Sequence, residues 1–295
     1  MGILDPPKVR RANQIVVRIR PHKHSVFKST FSLIQRGEID ILRSIEDLVA
    51  EAESQSFSGW DFSYLKGRFD EGKPSWDYRQ NVKSAMIGVE RMLDIGTGGG
   101  EVLASLQPLP SNTYATETWA PNVEVARMAL EPLGVRVAEV ASEEHVPFES
   151  GYFDLVIDRH EEFWPAEVYR ILRPGGVFIT QQVGGSNTDE LNQLLQKKVH
   201  GIVAHPNPSW SLAEATSQLR DIGFRIVEGM EETYPSYFND VGAVVYFLKH
   251  APWEIPDFDT KKYHGPLFEL HKRIIREGRL KVTTSRFYMK TLKPA

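Results

Sequence analysis

The residues best suited to chemistry form the run Leu93-Asp94-Ile95-Gly96-Thr97-Gly98-Gly99-Gly100-Glu101, where an apolar segment bends into a helix-forming one. Glycines at such a bend let the backbone pass close to a ligand and take φ values that a Cβ forbids. The carboxylate of Asp94, two positions before the first glycine, opposes a pyrophosphate. It suits a ligand bearing an ammonium group and a sulfonium. No Lys follows the loop, so a phosphate-cradling P-loop is excluded. Glu117 lies 21 positions beyond Gly96, the spacing at which an acid accepts hydrogen bonds from both hydroxyls of an adenosine ribose. That acid points to an adenosine without choosing among its derivatives.

A second constellation follows at Asp158-Arg159-His160-Glu161-Glu162, with Gln181-Gln182 further on. In an open α/β sheet, ligands sit outside the carboxyl ends of the strands, and both segments fall at such ends. His160 is the natural base or substrate orienter, because an imidazole takes up a proton near neutral pH. A metal on His160, Glu161 and Glu162 is not expected, since adjacent loop residues rarely converge on one ion. Upstream, Trp60, Phe62, Tyr64, Phe69, Trp76 and Tyr78 crowd beside Gly59, Gly67 and Gly72. Trp60, Tyr64, Trp76 and Tyr78, joined by Trp164 and Gln181, are expected to wall a substrate pocket, with Trp210, Tyr234 and Tyr237 as further candidates. Arg68 and Arg79 are read as surface ion pairs rather than carboxylate anchors.

The elements that must hold these residues alternate. Strands are expected at residues 91–95, 113–117, 135–140, 153–158 and 176–182, with helices starting at 101, 121 and 165. Such β-α alternation with buried strands implies a parallel sheet covered on both faces. Helical spacing marks 39–52, and Ser75 is the expected N-cap of a helix running to about residue 88. Helices follow at 187–199 and 211–222, then a strand to about residue 227. An apolar run at 241–248 reads equally as a dimer contact or a lid helix. Residues 262–277 look helical, and 284–292 form a final edge strand. The gap between those last strands is too long for a plain loop and should carry helices of its own.

In order along the chain, LDIGTGGGE, Glu117, Ser142-Glu143-Glu144-His145-Val146-Pro147-Phe148, Gly151-Tyr152-Phe153-Asp154-Leu155-Val156 and Ile171-Leu172-Arg173-Pro174-Gly175-Gly176 resemble the motifs of the class I S-adenosylmethionine (SAM) dependent methyltransferases, in particular the type 11-like family. The resemblance covers roughly residues 76–182. It implies a doubly wound Rossmann-like α/β sheet of about seven strands, mostly parallel with the C-terminal strand antiparallel, with an N-terminal cap and a helical insertion before the last strand. It also implies SAM as cofactor. Asp94 would hold the SAM amino group, Gly96, Thr97 and Gly98 its methionine part, and Glu117 with Thr118 the ribose. Asp158 and Arg159 would lie near the sulfonium. The family usually has Asp where this chain has Ala141-Ser142, so Ser142 or Glu143 would meet the adenine amino group. The implied layout is a basic arm at 1–30, a helical and aromatic cap at 31–80, and a SAM-binding domain at 81–295 with a lid at about 233–280.

Composition narrows the function. The 295 residues are 41% hydrophobic and 25% charged, enough apolar material for a full core. With no cysteine, disulfides, thiolate zinc sites, iron–sulfur clusters and thiol nucleophiles are excluded. Residues 1–28 hold seven Lys or Arg against Asp5, which leaves −10 of the overall −4 on the remainder, so the body repels polyphosphate. No apolar run is long enough to span a membrane, and the N-terminus lacks a secretory h-region; a cytoplasmic protein is expected. The expectation is in-line methyl transfer to an oxygen or nitrogen of a small-molecule acceptor, with a homodimer left open. The alternatives are an RNA methyltransferase using the basic arm and a non-catalytic SAM-binding protein. An NAD dehydrogenase is disfavoured by Asp94 and the glycine spacing.

Overall fold

The computed structural model describes residues 43–200 and 209–295. The basic arm, the expected strand at 15–19 and the first residues of the expected cap lie outside them. A single eight-stranded sheet runs through the described residues in the order β1-β7-β8-β6-β5-β2-β3-β4. Its strands are β1 (Phe69–Asp70), β2 (Arg91–Ile95), β3 (Asn112–Glu117), β4 (Arg136–Glu139), β5 (Phe153–Arg159), β6 (Leu172–Val183), β7 (Arg225–Phe238) and β8 (Leu280–Leu292). Strands β2 to β6 pair in parallel, and β8 runs antiparallel to both β6 and β7.

Met92 to Ile95 are all buried, as befits a strand covered on both faces. On one face Met92, Leu155, Ile157, Ile179 and Tyr288 pack with Val82 of α2 (Tyr78–Ala85), Leu103 of α3 (Glu101–Ala104), and Ala126 and Leu130 of α4 (Ala120–Leu130). On the other, Leu93, Ile95, Val156 and Phe178 pack with Val168 and Ile171 of α5 (Pro165–Ile171) and with Ala215 and Leu219 of α7 (Leu212–Ile222). A third core joins α1 (Ile45–Ser54), α6 (Asp189–His200), α8 (Val241–His250) and α9 (His264–Glu277) to Phe238, Leu280 and Val282. Strand β6 pairs with β8 only as far as Val183↔Arg286. The β7–β8 ladder continues to Phe238↔Leu280, which carries this third core beyond the carboxyl ends of the parallel strands.

Several expectations change. The sheet has an eighth, two-residue strand, β1. Strand β8 is interior, and the sheet edges are β1 and β4. Residues 233–238 are strand, so the insertion is confined to 239–279. Val241 to Leu248 is covered by this chain's own helices, with Val241, Val244 and Val245 fully buried. The run is thus core packing and no free dimer face. Asp77, whose side chain accepts from Gln80 N, caps α2; Ser75 is drawn instead to Glu232, its hydroxyl and its amide each donating to that carboxylate. The LRPGG segment lies within β6, at a pairing irregularity between Phe153 and Leu155, and keeps its bend through Gly175 at φ 77°. Arg68 is no loose surface pair. Its side chain is 17% exposed and bonds Asp240 and Glu51 at 2.8 and 3.0 Å. Among the described residues no helix is long and apolar enough to cross a membrane.

Candidate active site

The loop after β2 is fixed from below. Thr97 N donates to Thr116 O on β3 at 2.9 Å, and the Thr97 hydroxyl donates to Asp94 Oδ2 at 2.7 Å. Gly96 and Gly98 have φ of 60° and 63°, in the region that glycine enters freely. Close approach constrains them as well. A Cβ on Gly96 would stand 2.3 Å from Glu161 Cγ, and one on Gly98 would stand 2.0 Å from Trp60 Cδ1. The glycine surface is thus roofed at two points, by the Glu161 stem and by the indole of Trp60.

Acids line this loop. The Glu117 carboxylate accepts from Gly98 N at 2.8 Å and from Thr118 N and Trp119 N at 2.9 Å each; with roughly four lone-pair sites on a carboxylate, it retains room for a further donor. Glu143 is buried and takes a bond from the Thr116 hydroxyl at 3.0 Å and another from the Gly96 backbone, while its Oε1 has no partner. Ser142 is exposed, its hydroxyl accepting from Glu144 N, so of the two adenine candidates only Glu143 points into the crevice. Asp158 is fully buried. Its Oδ1 accepts from Gln182 Nε2 at 2.9 Å, and its Oδ2 has no partner. Burial pushes Asp94 and Glu143 each up to about 7, against the bonds from Thr97 and Thr116. Burial, with the charge of Glu161 added, pushes Asp158 well above the ordinary carboxylate range.

Beside the acids lies a second half-site at the ends of β5 and β6. Tyr78 donates to Asp158 O at 3.0 Å, and Trp76 Nε1 donates to Gln181 Oε1 at 2.8 Å. An indole N–H can only donate, so Trp76 fixes the orientation of the Gln181 amide. The amide nitrogen then faces His160 Nε2 at 3.1 Å and donates to it, which places the imidazole proton on Nδ1. His160 has φ 70°, and its backbone N–H donates to Gln181 O at 2.8 Å. His160 as a residue lies at the lip of the crevice, and its ring is engaged by Gln181. The low-dielectric walls, and then the charges of Arg159 and Arg286, hold it well below the ordinary imidazole value. Arg159 faces solvent at the same lip.

The structure therefore brings Trp76, Tyr78, Gln181, Arg159 and His160 together and seats Trp60 on the glycine loop. It does not bring Tyr64 or Trp164 there. Tyr64 bonds Glu51 at 3.1 Å and lies against Tyr246 inside the cap. Trp164 opens α5 and lines an outer groove with His145, Phe163, Gln218 and Ile222. Trp210 packs on Phe163 and Phe287 in the core, and Tyr237 lies under Arg279. Sequence reasoning overlooked Glu161 as a roof of Gly96 and Thr116 as the donor that orients Glu143. No pattern marks such a roof, and the one available sign was the adjacency of Glu161 to His160.

Residues 93–180 match the Methyltransferase domain family. The malonyl-[acyl-carrier protein] O-methyltransferase of Geobacter sulfurreducens is 30% identical over 179 residues, which cover 55% of this chain and 66% of that protein. A mitochondrial arginine-hydroxylase of Danio rerio is 29% identical over 111 residues, covering 32% of this chain and 35% of that protein. The chain thus spans just under two thirds of the first relative and about a third of the second. Among solved structures, a proposed methyltransferase from Bacillus halodurans superposes with a TM-score of 0.54 at 19% identity, covering 74% of this chain and 97% of that one. The YcgJ protein of Bacillus subtilis gives 0.51 at 15% identity, covering 74% and 98%. At these identities the two structures show the fold.

Proposed function

From the premise that residues 93–180 belong to the class I SAM-dependent methyltransferase family, we propose that this protein is an enzyme transferring the SAM methyl group to an oxygen or nitrogen of a small-molecule acceptor. One observation carries the reading. Beside the glycine loop, Glu143 Oε1 and Asp158 Oδ2 are buried carboxylate oxygens without partners, a costly state for apolar packing alone. A cationic ligand with amine donors fits both the charge of these groups and their open lone pairs. A dinucleotide's pyrophosphate would be repelled by them.

Asp94 would hold the SAM amino group and the backbone at Gly96 and Gly98 its methionine part. Glu117 would take the ribose and Glu143 the adenine amino group. SAM supplies an electrophilic methyl carbon bound to a positively charged sulfur. The protein's share is alignment and exclusion of water, because an in-line displacement gains most from a nucleophile fixed near the methyl. Trp76 and Gln181 hold the His160 ring rigidly, and with its Nε2 lone pair engaged by Gln181 His160 serves as an orienter rather than a base. The Geobacter relative's name places its methyl on an oxygen, which supports oxygen as one of the two acceptor atoms.

Incubation with methyl-tritiated SAM and a cell extract separated into small molecules, RNA and protein tests this. Label in the small-molecule fraction is expected. Label in RNA that disappears on removing residues 1–28 would favour the basic arm as a nucleic-acid tether, and tight SAM binding with no transfer would favour a sensor.

A further inference from the structure

The crevice is electrically divided, and its second half presents the guanidinium of Arg159. Strand alternation and the register Asp94↔Ile157 and Arg159↔Gln181 place Arg159 on the sheet face of Asp94, Trp76 and Gln181. Nearby Arg286 is spent on Glu71 and Asn187 at 2.8 and 2.7 Å. Among the described residues Arg159 meets no carboxylate at ion-pair distance, although it stands close enough to Glu71, Tyr78, Arg79 and Arg286 for their charges to act on it. A guanidinium here opposes a sulfonium, so its favourable ligand is an anion on the acceptor side.

The chemistry narrows that anion. The planar fork of Arg matches a carboxylate in a bidentate pair. A doubly charged phosphate would meet Glu71 and Asp94 as well as Arg159, and a single negative charge is the better match. The nearest base is also engaged, since the Nε2 lone pair of His160 receives the Gln181 amide. An alcohol or ammonium acceptor would have to lose a proton to such a base. A carboxylate is already ionised.

Resting on the methyltransferase reading above, we propose that the acceptor is a carboxylic acid bound as its anion on Arg159 and methylated on a carboxylate oxygen. The oxygen–carbon bond forms as the methyl–sulfur bond breaks, and the electron pair of that bond goes to sulfur. The anion's charge and the sulfonium's charge cancel, giving a neutral methyl ester and a neutral thioether, and no proton moves. Each carboxylate oxygen paired with Arg159 keeps a second lone pair, and one of these is directed at the methyl.

The test measures binding of butyrate, succinate and benzoate, each against its amide, to the full-length protein saturated with S-adenosylhomocysteine. The acids should bind at least roughly tenfold more tightly than the amides. Arg159→Gln should remove that preference and Arg159→Lys should keep part of it, with unchanged thermal midpoints showing that both variants fold. Product formed from tritiated SAM should release its label as volatile methanol in alkali. Equal binding of acids and amides, a preference that survives Arg159→Gln, or an alkali-stable label would each overturn the proposal. Failure of the wild-type protein to bind S-adenosylhomocysteine would instead defeat the cofactor reading.

Discussion

The cap gathers half-buried carboxylates and the glycine crevice buried ones, and they treat them in opposite ways. In the cap, burial pushes Glu51 up, but bonds from Arg43 and Tyr64 and the charge of Arg68 outweigh it and hold the acid below the usual carboxylate range. Arg68 also bonds Asp240 at 2.8 Å, and Asp240 caps α8 by accepting from Ala243 N at 2.9 Å. Arg43, Glu51, Arg68 and Asp240 each face an opposite charge there. In the crevice, burial prevails. Asp94 and Glu143 rise to about 7 with hydroxyl and amide donors for company, and two acid oxygens stay unbonded. Paired acids fasten two segments of chain together, whereas unpaired ones stay poised to ionise when a cationic ligand arrives.

That contrast breaks most visibly in the cap. Arg68→Ala removes the counter-charge of Asp240 and one of the two facing Glu51, and should cost about 2 kcal/mol of folding stability, measured by denaturant unfolding, while SAM affinity stays near wild type. Asp94→Asn should do the reverse. Loss of a charge-assisted bond should weaken SAM binding by roughly 1.5–3 kcal/mol, with the thermal midpoint unchanged or raised because a buried carboxylate has been removed.

The pH dependence sharpens the same point. An acid raised from 3.8 to about 7 by folding binds more protons folded than unfolded across that interval, so ligand-free stability should fall as pH rises through it. SAM prefers the ionised crevice, so its affinity should climb by up to roughly tenfold per group between about pH 6 and pH 8, with protons released on binding. Asp94→Asn should flatten the climb in calorimetric titrations. The smallest effect concerns Trp60. It packs on Gly98, where the methionine part of SAM is expected, and must move aside. Its fluorescence should change on binding, and Trp60→Ala should alter affinity by about threefold.

Much of this was legible in the residues. Buried, non-alternating strands and the Gly96–Gly100 bend announced the parallel sheet and its crevice, because burial on both faces writes itself into composition. The far half of β7 was not legible. Its approach from Glu228 to Pro235 has no buried position, and the buried positions beyond are polar Ser236 and a single apolar Phe238; the stretch is strand because β8 pairs with it residue by residue. Ser75 looked like a cap but was claimed by Glu232, 157 positions away, a competition no local pattern records. Tyr64 and Tyr78 were equivalent as aromatics. Only the tertiary fold sent one to Glu51 and the other to Asp158. His160 was legible as a site residue, but its engagement by Gln181 needed the orientation that Trp76 imposes.

The central claim is that the acids around the glycine loop select a cationic sulfur nucleoside. Calorimetric titration of the wild-type protein with SAM and with NAD, repeated in buffers of different ionisation enthalpy, tests it most directly. SAM should bind with release of protons and NAD should not bind. Binding of NAD, or SAM binding without proton release, would contradict the account.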